Sequence, residues 1–110
     1  MSRREYTRPF RSNGPGMNKT ETVYAGRLEL LKRAGEIVDY RYEALTFTLA
    51  ANVPGKRNST TYKPDFLVMT EERFELHEVK GHWEDDARVK IKVAAEMYPG
   101  FKWMGVRKTK

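Results

Sequence analysis

The chain has 110 residues, 39% hydrophobic and 12% aromatic, enough for one domain with a modest core. Its formal net charge of +6 favours polyanionic partners, nucleic acid before anionic membrane. It has no cysteine, which excludes a disulfide framework, a thiolate zinc site and a cysteine nucleophile, and no apolar run approaches the ~20 residues a membrane span needs.

Residues 1–16 hold Arg3, Arg4, Arg8 and Arg11 against a single acid, Glu5, with Pro9, Gly14, Pro15 and Gly16 between and after them. No apolar run follows these arginines, so the segment does not have the form of a secretory signal, and a protein of the cytoplasm is expected. It predicts a flexible basic arm, with Arg8 and Arg11 as candidate contacts to phosphate backbone or as part of a solvated tail.

The domain is expected over 17–110. Asn18 or Thr20 can cap a helix with Glu21 in its first turn, and Gly35 stops it. Val23, Leu28, Leu31 and Ala34 are its expected apolar face. A strand follows from about Tyr40 to Leu49, where Leu45, Phe47 and Leu49 alternate with Thr46 and Thr48. The turn-rich loop AANVPGKRNST carries Lys56 and Arg57 as candidate phosphate contacts and joins this strand to the next in a hairpin. The second strand is expected over Tyr62 to Met69 and the third over Arg73 to Lys80, on either side of the turn TEER. Asp85 and Asp86 open a second helix with Ala87, Ile91, Ala94, Ala95 and Tyr98 as its stripe. After Pro99-Gly100 comes the strand FKWMGV, placed to run parallel to the third strand through a right-handed crossover. The predicted order is α-β-β-β-α-β, a single α/β domain with a mixed central sheet flanked by helices.

Two strands in this plan carry charge where a buried strand resists it: Asp65 in the second, Glu78 and Lys80 in the third. Glu78 and Lys80 are two apart and share one face of the strand. A hairpin brings Asp65 beside Glu78, and two adjacent carboxylates repel unless a positive charge lies between them. Lys80 supplies one such charge, and Mg²⁺ or Mn²⁺ would supply more. A basic protein with such a site points to phosphodiester hydrolysis, with the ion polarising the phosphate and lowering the pKa of a bound water. The competing interpretation is a solvated Glu78–Lys80 pair worth little. By itself the pattern is loose: Pro-Asp followed by acid-x-Lys arises by chance in on the order of a few per cent of chains this long.

Pro64-Asp65 and Glu78-Val79-Lys80 resemble the signature of the PD-(D/E)xK nuclease superfamily, which includes restriction enzymes and Holliday junction resolvases. The resemblance runs from about Thr20 to Val106, through ETVYAGRLELLKRAGEIVDYRYEALTFTL, TYKPDFLV and HEVKGHWEDDARVKIKVAAEMYP, which resemble small phage-borne members. It implies the α-β-β-β-α-β restriction-endonuclease-like core and a Mg²⁺-dependent DNA endonuclease, with Mn²⁺ as a substitute ion. Asp65, Glu78 and the backbone carbonyl of Val79 would be metal ligands, and Lys80 would assist the water nucleophile. Glu21, preferred over Glu29, would be the added acid of the first helix. Lys90 or Lys92 would be the basic residue of the second helix. DNA rather than RNA, and the host cytoplasm if the chain is phage-encoded, rest on the same resemblance. Two alternatives stay open: a resolvase-type nuclease for branched DNA, expected to be a homodimer, and a catalytically inactive nucleic-acid-binding module of the same fold. His77 should face away from Glu78, His82 lies in a loop two residues past the motif, and Trp83 and Trp103 are expected at the domain edge and core.

Overall fold

In the computed structural model, residues 16–50, 60–80 and 85–107 are described, and they form an α/β unit with a mixed sheet. Helix α1 (Lys19–Arg33) begins at the N-cap Asn18, whose Oδ1 accepts the Glu21 N–H at 2.8 Å, while the Glu21 Oε1 accepts the Asn18 N–H at 3.1 Å. This reciprocal capping box satisfies two orphan donors and fixes where the helix starts. At the other end Gly35 takes φ +82°, a left-handed conformation natural to glycine, and α1 stops.

The expected first strand is two strands. β1 (Asp39–Tyr42) and β2 (Phe47–Ala50) are separated by a turn in which Glu43 adopts φ +49°. The predicted alternation survives inside β2, where Phe47 is buried and Thr48 exposed. The expected second strand also divides, into β3 (Thr60–Tyr62) and β4 (Phe66–Met69). Pro64 lies in the break; it has no N–H to offer a ladder. The predicted hairpin is therefore β2 with β3, forming its own two-stranded sheet with Phe47 opposite Tyr62.

The main sheet has the order β1-β4-β5-β6, where β5 is Phe74–Lys80 and β6 is Lys102–Arg107. β1, β4 and β5 are antiparallel neighbours. The β4–β5 turn is tied by Thr70, whose Oγ1 accepts the N–H groups of Glu72 and Arg73 at 3.2 and 3.1 Å. Helix α2 (Asp85–Met97) lies in the connection from β5 to β6, and β6 runs parallel to β5, as the position of the last strand after a helix predicted. Its stripe is buried at Ala94 and half-buried at Ala87, Ile91, Ala95 and Tyr98, matching the periodicity.

On one face of the sheet, α1 packs Ala25 and Leu28 against Tyr40, Phe66, Val68 and Val79. Elsewhere Phe47, Tyr98, Phe101 and Trp103 form an aromatic cluster, with Phe47 rings 4.8 to 5.5 Å from the other three. Trp103 is thus half-buried and packed, as expected. Two positions of the predicted α1 face are wrong: Val23 is 68% exposed, and Ala34 is the exposed C-cap of the helix. The buried positions are Glu21, Ala25 and Leu28, spaced i, i+4, i+7, and Val23 falls off that stripe. The basic arm with Arg8 and Arg11, the loop with Lys56 and Arg57, and His82 and Trp83 lie outside the described residues.

This packing gives a direct test. Leu28→Ala should cost about 2–5 kcal/mol of unfolding free energy in urea, whereas Val23→Ala should change it by no more than about 0.5 kcal/mol. Equal losses would contradict the burial pattern.

Candidate functional site

The β4–β5 ladder ends at the pair Phe66↔His77. Beyond it, the Val79 N–H does not find a backbone partner on β4; it donates to Asp65 Oδ2 at 2.8 Å. The carboxylate of the Pro-Asp dipeptide thus takes the place of a backbone carbonyl as acceptor for this N–H. This ties Asp65 to the Glu-Val-Lys segment across 14 residues of sequence. Asp65 and Glu78 are both buried, each 5% exposed.

Alternation on β5 gives Glu78 and Lys80 one face and His77 and Val79 the other. Lys80 Nζ lies 3.1 Å from Glu78 Oε2, with the lysine side chain 35% exposed and the glutamate 6%. The other carboxylate oxygen, Oε1, accepts the Tyr62 hydroxyl at 2.8 Å. Glu78 is therefore held from both sides, by a cation and by a phenol from the second sheet. Burial and then the Glu78 carboxylate push the Tyr62 phenol well above its ordinary value.

Glu21 is buried in the first turn of α1, where its Oε1 also accepts the Tyr42 hydroxyl at 3.0 Å. It remains within electrostatic reach of the other acids. Burial, then the Glu78 carboxylate, then Glu21 push Asp65 up to about 8, with the Val79 N–H pulling the other way. Lys80 loses some of its charge preference to burial, but Glu78, Asp65 and Glu21 together raise its pKa. Glu21, Asp65, Glu78 and Lys80 therefore share one electrostatic neighbourhood. Glu29 is taken up by Arg33 and by the Tyr40 hydroxyl.

The remaining candidates divide. Lys90 is half-buried on α2 and Lys92 is exposed. His77 faces away from Glu78, as strand alternation predicted: its Nδ1 lies 2.7 Å from the Tyr24 hydroxyl and its Nε2 2.9 Å from Glu75 Oε1. Burial lowers its pKa more than Glu75 raises it. Sequence reasoning missed Tyr62 and Tyr42. Tyr62 lies three residues before Asp65, but nothing in spacing shows that a phenol from a separate hairpin meets Glu78.

Among the described residues, no three His, Cys, Asp or Glu side chains form a group that could hold a metal ion. The donors are instead the two buried carboxylates of Asp65 and Glu78. The Val79 carbonyl would be the third donor that the resemblance implies, since a strand residue's N–H and C=O emerge on the same edge and the Val79 N–H points to Asp65. Hard oxygens of this number suit Mg²⁺, which takes one or two carboxylates and completes its shell with water and phosphate. Burial first, and then the neighbouring Glu78 carboxylate, raise Asp65.

Fold and site together define an α/β domain with buried acids at the C-terminal end of a central strand. Residues 16–110 match the family described as a protein of unknown function, DUF1064, and the chain belongs to that family. No curated protein and no solved structure matches it.

The Asp65 environment sets a pH dependence. Its folded-state value of about 8 lies above the ordinary 3.8. Between those values the folded state holds more protons than the unfolded one, so stability falls as pH rises. In EDTA, Asp65→Asn should flatten the decline between pH 5 and 8 by up to about 1.4 kcal/mol per pH unit. Parallel pH profiles for the variant and the wild type in urea unfolding would refute this assignment.

Proposed function

We propose that the protein is a Mg²⁺-dependent DNA endonuclease of the PD-(D/E)xK superfamily, with a restriction-endonuclease-like core. The observation that carries this is the Val79 N–H bond to Asp65, which joins the two halves of the signature beside the Glu78–Lys80 pair. The order of the main-sheet elements, α1-β1-β4-β5-α2-β6, supports it, with β2–β3 as an insertion between β1 and β4. The net charge of +6 suits a polyanionic substrate.

When bound, the ion supplies charge for the phosphate and lowers the pKa of a bound water. Asp65, Glu78 and the Val79 carbonyl would hold it, with Glu21 adding negative charge nearby. The water oxygen attacks phosphorus in line, and a P–O ester bond breaks as the new one forms. Lys80 orients that water and offsets the developing negative charge. Its pairing with Glu78 keeps the ammonium on the strand face that carries the reaction. Tyr62 fixes the rotamer of Glu78 by holding Oε1, so that Oε2 remains toward Lys80. Asp65 cannot swing away while Val79 binds one of its oxygens.

The decisive test compares cleavage of duplex, single-stranded, flap and four-way-junction DNA in Mg²⁺, Mn²⁺ and EDTA. Cutting should require the metal, and Asp65→Ala, Glu78→Ala or Lys80→Ala should lower it by about a hundredfold or more without unfolding the protein. Junction preference with a dimer in solution would select the resolvase-type enzyme. Binding without cutting of any substrate would select the inactive module. Independently, Mg²⁺ should raise Tm more at pH 8 than at pH 6, because the ion and the Asp65 proton compete for the same oxygens. A pH-independent increment would remove Asp65 from the ligand set.

A further inference from the structure

Val23 is a large apolar side chain left 68% exposed on a helix that buries its neighbours. It lines a pocket of about 150 Å³ between α1 and the ends of β5 and β6. Val79 and Val106 add to the apolar lining, Tyr24 adds a ring, and Lys19, Arg27 and Arg107 bring three cations. None of these three cations takes part in a salt bridge among the described residues. Apolar walls with three unneutralised cations describe a ligand that is flat and apolar in one part and anionic in another. The volume is below the about 300–1,000 Å³ of pockets that engulf a drug-sized molecule, so one ring system is its measure.

Position narrows the occupant further. Val79 sits between Glu78 and Lys80 in sequence, with its side chain on the opposite face of β5. The pocket and the carboxylates therefore lie on the two sides of the same strand end. Glu21 joins them, since it stands on α1 within one turn of Lys19 and Tyr24. A chain crossing the C-terminal edge of β5 passes from one to the other.

We propose that this pocket holds one unpaired nucleotide of the DNA strand, its base against Val23, Tyr24 and Val106 and its phosphate on Lys19, Arg27 and Arg107. A base within a duplex is stacked and paired and cannot enter; a base at an overhang, flap or single-stranded end can. The inference rests on the nuclease reading for its choice of DNA, and it names the substrate class: duplexes with an unpaired end next to the bond to be cut.

The experiment measures binding in EDTA, where no cleavage occurs, with the full chain. Blunt duplex, the same duplex with a three-nucleotide overhang, and a deoxynucleoside monophosphate are compared for wild type, Arg27→Ala, Val23→Glu and Lys80→Ala. Arg27 and Val23 are exposed, so their variants should fold, which circular dichroism checks. The wild type should prefer the overhang by about tenfold, the scale of stacking one base. Arg27→Ala should lose that preference and lower the slope of log affinity against log salt by about one on the overhang duplex alone. Val23→Glu should lose the preference, and Lys80→Ala should keep it. Monophosphate binding that depends on Arg27, without an overhang preference, would assign the site to a free nucleotide and overturn the strand assignment. Equal binding of blunt and overhang duplex, unchanged by Arg27→Ala and Val23→Glu, would overturn the pocket altogether. Cleavage by wild type in the Mg²⁺ assay with no such binding preference in EDTA sinks the pocket alone; the preference in EDTA with no cleavage in Mg²⁺ or Mn²⁺ sinks the nuclease and leaves the pocket standing.

Discussion

One hydrogen bond organises the candidate site: the Val79 N–H donating to Asp65 Oδ2. A buried backbone donor must find a partner, and β4 begins only at Phe66, so the Val79 N–H lies past the end of that strand. The side chain that accepts from it is an acid, so satisfying this donor places a carboxylate inside the protein. Everything else at the strand end answers that charge. Asp65 shifts toward its neutral form, Lys80 comes to Glu78, and Tyr62 and Tyr42 each bind one oxygen of Glu78 and Glu21.

Tyrosine recurs as the partner of acids in this chain. Tyr62 binds Glu78, Tyr42 binds Glu21, and Tyr40 binds Glu29. A phenol donates a hydrogen bond and brings a ring that packs: Tyr40 and Tyr42 both lie against Phe66, with centroids 6.5 and 5.4 Å apart. The same residue thus fills core volume and satisfies a carboxylate, which allows acids to sit among apolar side chains without a full complement of basic partners.

The helices were legible from sequence because their signals are local. Asn18, Glu21 and Gly35 mark α1, and the α2 stripe repeats at helical spacing. The third strand and the parallel last strand were legible for the same reason: a charged turn and a helix separate them from their neighbours. The strand breaks at Glu43 and Pro64 were not. Alternation continues across both breaks, and only the fold reveals that Leu45 and Phe47 have left the main sheet. Asp65, Glu78 and Lys80 stood out because charge in an apolar strand is itself a signal. Tyr62 carried none, since its role depends on how one sheet meets another. Val23 was misplaced because an apolar residue on an amphipathic helix is assigned to the core by default, and its spacing from Ala25 and Leu28 argues otherwise.

The β4–β5 hairpin has a consequence for how the molecule assembles. Its strands are joined by a four-residue turn tied through Thr70, so they meet at small cost in chain entropy. β6 reaches β5 only after helix α2 has been laid down between them, a slower closure across a longer loop. The acids are therefore brought into register by the most local part of the sheet. The register of Asp65 against the Glu-Val-Lys segment is thus set by a short-range connection, while β6 adds to the other edge of β5.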